Sequence, residues 1–276
     1  MREKKLIPFR LRGPVTVLLL VAVLGGVGLA AGQRRYWSGQ TVAPVFEGWE
    51  RNEDGTFNFV FGYFNRNHEE TLDIPIGPDN NLAPGEPDQG QPTFFAPLRQ
   101  KVVFRVKVPA DWGPTKRLVW TLTIRGKTEK ANAFLLPEWE TNAQAMGGNA
   151  GPGQGSAAGG DPDNKAPAIT VAPDRTTIAL RETVAITASV ADDGRPKPSR
   201  GRDRRRVGVL RVDWLQYRGP VGGRAVFTPA ESPVSAGRAV TTATFSAPGQ
   251  YVLRAFGNDG ELRGTADVIV TVTPSS

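Results

Sequence analysis

Leu118-Val119-Trp120-Thr121-Leu122-Thr123-Ile124 decides the fold of this chain. Apolar side chains recur at 118, 120, 122 and 124 with threonines between them, a period of two that belongs to a strand with one face buried and one wet. Working outward, the same alternation runs through Phe57, Phe59, Phe61 and Tyr63, then Leu72, Ile74 and Ile76, then Val102, Phe104, Val106 and Val108. Lys101, Arg105 and Lys107 take the opposite face, as expected of an antiparallel sheet open to water on one side. Glu53-Asp54-Gly55 and Gly77-Pro78-Asp79-Asn80 are turn signals, and no helical period of useful length appears. Strands of this kind bury their inner faces by pairing sheets, so residues 36–141 are expected to form a β-sandwich module.

A second set of alternating runs follows: Val184, Ile186, Ala188 and Val190; Leu210, Val212 and Trp214; Tyr251, Leu253 and Ala255; Ala266, Val268, Val270 and Val272. About seven short strands fit the span 167–274. Between the modules, residues 142–166 read Asn-Ala-Gln-Ala-Met-Gly-Gly and onward in Gly, Ala, Pro and Asn, with almost nothing to bury. This composition predicts a flexible linker that lets the modules move independently over about 25 to 30 Å. The fold class expected is therefore all-β, two sandwich modules on a Gly/Ala/Pro-rich joint.

Within the second module, Trp214 sits mid-strand, and Ala247-Pro248-Gly249-Gln250-Tyr251-Val252-Leu253-Arg254 is followed by Asn258-Asp259-Gly260. This late-strand pattern resembles PKD-type and other immunoglobulin-like domains of exported bacterial proteins. The resemblance implies a tyrosine corner at Tyr251, its hydroxyl tying down the start of the strand. The chain departs from the PKD pattern at Trp214-Leu215-Gln216-Tyr217-Arg218-Gly219, where that family has a Trp-Asp-Phe-Gly-Asp-Gly run, so the likeness is to the broader immunoglobulin-like class. By analogy such a domain is a spacer or a protein or glycan contact.

Residues 1–32 read as an export signal. Arg2, Lys4, Lys5, Arg10 and Arg12 precede an apolar run from Val15, and Ala30, Ala31 and Gly32 offer small side chains to a peptidase. Cleavage after Ala30 or Gly32 is expected. The alternative is an uncleaved anchor, which needs roughly 17 to 25 apolar residues. In either case the basic head stays inside and the rest of the chain crosses the membrane, to a periplasmic or extracellular location.

The chain has no cysteine, which excludes disulfides, thiolate metal sites, cysteine nucleophiles and a lipid-bearing cysteine, and favours a bacterial envelope. Its net charge is +7, but without residues 1–32 it is +3, and the segment 195–206 alone carries +6. The basic character lies in the leader and one loop.

That loop supplies the first candidate binding residues. Arg200, Arg202, Arg204, Arg205 and Arg206 fall between two strands, and guanidinium forks suit carboxylate and phosphate groups of an acidic protein, an anionic glycan or an envelope surface. Nucleic acid is not an expected partner, since the loop has no aromatic stacking face. Trp49 and Trp112 follow no strand period and are expected either as plugs at the sandwich ends or as exposed platforms for a sugar ring or a partner. The single histidine, His68, stands beside Glu69 and Glu70 and is expected in a solvated turn, because a metal needs three or four convergent ligands. The oxygen-rich stretch with Asp79, Glu86 and Asp88 matches no EF-hand, and Asp192, Asp193 and Asp259 are a weaker calcium candidate that needs convergence at one sandwich end. No metal, cofactor or catalytic residue is assigned on these grounds. The function expected is an exported, non-enzymatic binding or spacer protein contacting protein or glycan, with the membrane involved only through an uncleaved leader. The alternative is a carbohydrate-active enzyme or accessory glycan-binding module using two facing carboxylates among Glu69, Glu70, Asp79 and Asp88.

Overall fold

A computed structural model describes residues 36–142, 161, 163–195 and 210–275. The leader, most of the linker and the arginine cluster Arg200–Arg206 lie outside the described residues. Among those described, strands dominate, there is no α-helix, and one 3-10 turn spans Pro137–Trp139.

In the first module, β1 (Val42–Arg51), β2 (Phe57–Asn65) and β6 (Leu98–Val108) form an antiparallel sheet in the order β1-β2-β6. A second sheet runs β4 (Asn80–Ala83), β7 (Leu118–Ile124), β8 (Lys127–Ala133), and a short pair joins β3 (Leu72–Asp73) to β5 (Phe94–Phe95). The inner faces meet at Trp120, whose ring packs edge-on against Phe104 at 4.9 Å and Phe61 at 6.0 Å between centroids. Phe59, Phe61, Leu118, Trp120 and Leu122 are buried as their alternation requires. Val102 is not: the β2–β6 register shifts between Phe61 and Tyr63, and Val102 takes a left-handed φ of 52°, which turns Val103 inward in its place. Gly62 faces this bulge. A Cβ there would stand 2.5 Å from the Gln100 carbonyl oxygen, so only glycine fits.

The second module is an immunoglobulin-like sandwich. One sheet runs β10 (Thr177–Ala179), β17 (Arg263–Thr273), β16 (Gly249–Asn258), β12 (Arg211–Arg218), β14 (Glu231–Pro233). The other runs β13 (Ala225–Thr228), β15 (Arg238–Phe245), β11 (Val184–Ala191), β9 (Ala168–Pro173). All pairings are antiparallel except β10 with β17. Tyr251 is fully buried and its hydroxyl donates to the Ala247 carbonyl at 2.9 Å, forming the corner that the resemblance implied. Trp214 is also buried, its indole N–H held by the Ser232 hydroxyl at 3.0 Å.

Residues 36–276 fall into one compact unit, and the two modules are in direct contact within it. Tyr217 of the second module belongs to the hydrophobic cluster of the first. The expectation that the modules move independently rested on linker composition alone, and the structure sets this docked arrangement beside it. The surfaces on either side of the linker carry their own docking chemistry.

Candidate functional site

Among the described residues, those marked by the sequence lie at separate places in the fold. Trp49 is 4% exposed and its indole N–H donates to the Leu136 carbonyl at 2.8 Å. Trp112 is 8% exposed, packs edge-on against Phe59 at 5.7 Å and is covered by the Lys116 ammonium 4.0 Å from its ring. Neither offers a free ring face to a partner, and the platform alternative is corrected to a plug in both cases. Trp49 escaped the strand period because β1 bulges between Phe46 and Gly48, so that the two inward rings, Phe46 and Trp49, stand three residues apart.

His68 is half-buried, with its ring 6.0 Å from that of Trp37. Glu69 is exposed, while Glu70 is committed to the Gly39 N–H at 2.7 Å and to Arg125 at 2.6 Å. Asp79 lines a cleft of about 370 Å³ together with Asp73 and Arg125, whereas Asp88 lines a different cleft of about 410 Å³. Asp79 and Asp88 thus line different clefts, while Glu70 is paired with Arg125 on the rim of the cleft that holds Asp79. Among the described residues, no three histidine, cysteine or carboxylate side chains gather at metal-binding spacing.

At the end of the second sandwich, Asp259 is 1% exposed, and one carboxylate oxygen accepts the N–H groups of Glu261 and Leu262, each at 2.7 Å. Burial raises its pKa, and the charge of Asp192 adds to the rise, so these two acids do lie within electrostatic range. Arg195 neutralises neighbouring acids of the same end, reaching Asp161 at 2.6 Å and Asp163 at 3.6 Å.

The densest functional chemistry lies where the modules meet, and composition did not reveal it. Strand β12 ends in Tyr217 and Arg218, side by side. The Tyr217 hydroxyl donates to the Gly90 carbonyl at 2.5 Å, and the Thr93 N–H donates to the Tyr217 carbonyl at 3.3 Å. Arg218 forks onto both oxygens of Asp88 at 2.7 and 2.9 Å and also donates to the Gln91 carbonyl. Its guanidinium holds the Asp88 carboxyl below the ordinary carboxylate range. Arg224 reaches Asp73 at 2.7 Å, and the Gly222 N–H donates to the same carboxylate at 3.0 Å.

Behind these contacts, the Arg254 guanidinium lies over the Tyr217 ring at 3.4 Å, forks onto Asp267, and donates to the Val103 carbonyl at 2.5 Å. Burial pushes the Tyr217 hydroxyl up to about 12, so it remains a neutral donor through the physiological range. Planar guanidinium groups suit this setting because they stack on a ring and bond at their edge together. The 410 Å³ cleft beside the joint is lined by Asp88, Arg105, Tyr217, Arg218, Arg254 and Asp267. Arg105 is paired with Glu50 at 2.8 Å, so the three arginines of this cleft are all engaged by carboxylates.

The first-module half of the joint is the stretch 73–93, which holds the oxygen-rich residues Asp79, Glu86 and Asp88. It is tied from within. The Asn80 amide donates to the Ile74 and Pro92 carbonyls at 2.9 and 2.8 Å, and its oxygen accepts the Trp120 indole N–H at 3.0 Å. Gln91, also fully buried, donates to the Pro87 carbonyl and accepts the Gln89 N–H. Buried amides with all partners supplied order a loop that has little apolar surface of its own.

No protein-family model matches the chain. Among solved structures, the D0-D1 domain of intimin aligns at 14% identity over 84% of this chain and 100% of that one, with a TM-score of 0.27. The adhesin InvE of Yersinia pseudotuberculosis aligns at 11% identity, covering 88% of this chain and 61% of that one, with a TM-score of 0.30. A conjugative transposon lipoprotein of Bacteroides eggerthii aligns at 10% identity over 39% of this chain and 96% of that one, with a TM-score of 0.27. Likeness at this distance carries no inference about what the chain binds.

Proposed function

We propose that this chain is an exported, non-enzymatic protein of the bacterial cell envelope whose two β-modules act as one docked tandem that binds or spaces protein or glycan partners. The joint at Tyr217, Arg218, Arg224 and Arg254 carries this reading, because a spacer or presenting scaffold requires a defined relation between its modules and an isolated hydrolase does not. The basic leader and the lack of cysteine support export into an envelope without disulfide chemistry.

Arg200, Arg202, Arg204, Arg205 and Arg206 are the residues through which contact with an anionic glycan or acidic protein is proposed. The test is retention of the protein on envelope and acidic polysaccharide fractions, beside a variant with these five arginines replaced by serine. Salt-sensitive retention that is lost in the variant supports the reading. Equal retention of both forms removes the arginines from it, and no retention of either removes the anionic surface as partner.

A further inference from the structure

The second module has two sheets, and the first module occupies only one of them. Leu215, Tyr217 and Val252, on β12 and β16, pack against the core of the first module. The outer face of the other sheet, β13-β15-β11-β9, is open to water among the described residues. Its register is continuous: Thr242 stands opposite Ala185, Val240 opposite Thr187 and Arg238 opposite Ser189, and Thr187 continues to Ala172 of β9. Residues paired across a ladder share a face, as do residues two apart along a strand, so these rungs make one surface.

A sheet face exposed to water ordinarily carries charge. In the first module it does: Arg99, Arg105 and Lys107 of β6 are paired with Glu47, Glu50 and Asp54. Along the paired lengths of β13, β15, β11 and β9 the outward positions are instead threonine, serine, alanine and valine, with no acid and one base, Arg238. Val240 is 51% exposed in the midst of them. Side chains this short let a second sheet approach to about 10 Å, the spacing of packed sheets. No aromatic ring or side-chain amide stands at these positions to stack on a sugar or orient it, and no row of bases meets an anionic surface.

The charges that frame the face match each other. Arg238 lies on the Ser189 rung, on the β15 side. Asp174, the residue after β9, lies beside the Ala185 rung: its carboxylate accepts the Ala185 N–H at 3.0 Å and its own N–H donates to the Ala185 carbonyl at 2.8 Å. Base and acid therefore stand at opposite corners, separated along β11 and on strands to either side of it. A two-fold axis lying in the plane of contact exchanges such corners, so two copies laid face to face set each Arg238 against Asp174 of the other. Four strands about 4.8 Å apart and about six to eight residues long give roughly 400 Å² in plan, and the relief of the side chains raises the accessible area toward the about 600 Å² per partner of the smaller specific interfaces.

We infer that this face joins two copies of the chain, sheet on sheet, with Arg238 of each copy paired to Asp174 of the other. The inference goes beyond the reading of a binding or spacing tandem, which stands whether or not the copies pair.

Sedimentation velocity over a concentration series, on the chain as recovered after export, reads the association. The parent is expected to dimerise reversibly in the micromolar range, as a contact at the small end of specific interfaces does. Thr187→Lys puts a charge at the centre of the face and is expected to weaken the dimer at least tenfold while leaving the unfolding midpoint where it was. Arg238→Asp sets acid against Asp174, and Asp174→Arg sets base against Arg238, so each variant alone is expected to be monomeric. Mixed in equal amounts, these two variants are expected to associate with each other, because each carries the charge that the other lacks. A monomeric parent overturns the inference and leaves the face to a different uncharged partner. A dimer indifferent to Thr187→Lys is made elsewhere and overturns it as well. Two charge variants that stay monomeric when mixed overturn the two-fold pairing.

Discussion

Asp259 shows at the scale of one residue how this fold spends polar groups. Its carboxyl is buried at the end of the second sandwich, and burial followed by the Asp192 charge outweighs the Leu262 and Glu261 N–H bonds to leave its pKa raised. A carboxyl whose folded pKa lies above its unfolded value contributes stability below the unfolded pKa and loses it as pH rises through the folded one. Asp259→Asn keeps an acceptor for both N–H groups and removes the buried charge. Urea midpoints should therefore place the variant above the parent at pH 7, with the gap closing as the pH falls through the raised folded pKa and gone once it reaches the ordinary carboxylate range. A variant less stable at neutral pH would show that the charge is compensated. Single residues were the most legible part of the sequence. Trp120, Leu122, Ile186 and Leu253 are buried where period two puts them, and Tyr251 makes its corner bond. Trp49 and Val102 were not legible, because each sits at a β-bulge, and one extra residue reverses the face to which every later side chain points.

At the scale of the element, the stretch 73–93 was the hardest to read. From Gly77 to Pro92 its Pro, Gly, Asn and Gln composition carries turn signals, and these register neither Asn80 bridging to Trp120 nor Asp88 facing an arginine 130 residues away. Long-range polar partners leave no periodicity in a sequence. Replacing Asn80 with alanine strips a partner from the Trp120 indole N–H and from the Ile74 and Pro92 carbonyls, all inside the first module. Each orphaned group costs about 1 to 3 kcal/mol, so the expected loss in chemical denaturation is at least about 2 kcal/mol. The backbone N–H groups of residues 74–92 should also exchange faster with deuterium. A variant as stable as the parent, with unchanged exchange, would show that the loop is ordered by something other than this amide.

For the whole molecule, the joint is the feature that composition concealed. The Gly/Ala/Pro-rich stretch describes how far the modules could separate, while the contacts made by Tyr217, Arg218, Arg224 and Arg254 determine whether they do. Acid should loosen the joint. Asp88 is held below the usual carboxylate range by Arg218, so the stability this pair adds is present above the unfolded pKa and is lost as pH falls through the folded one. The pair is partly exposed, and its individual contribution is correspondingly screened.

The absence of cysteine allows two labels to be introduced without background reaction. Spin labels at Lys127→Cys in the first module and Val226→Cys in the second, both exposed sites, report the distance between modules directly. A docked tandem gives one narrow distance distribution, which broadens when Arg218→Ala and Arg254→Ala are added. A broad distribution in the parent chain, unaltered by these substitutions, would contradict the joint and return the two modules to independent motion.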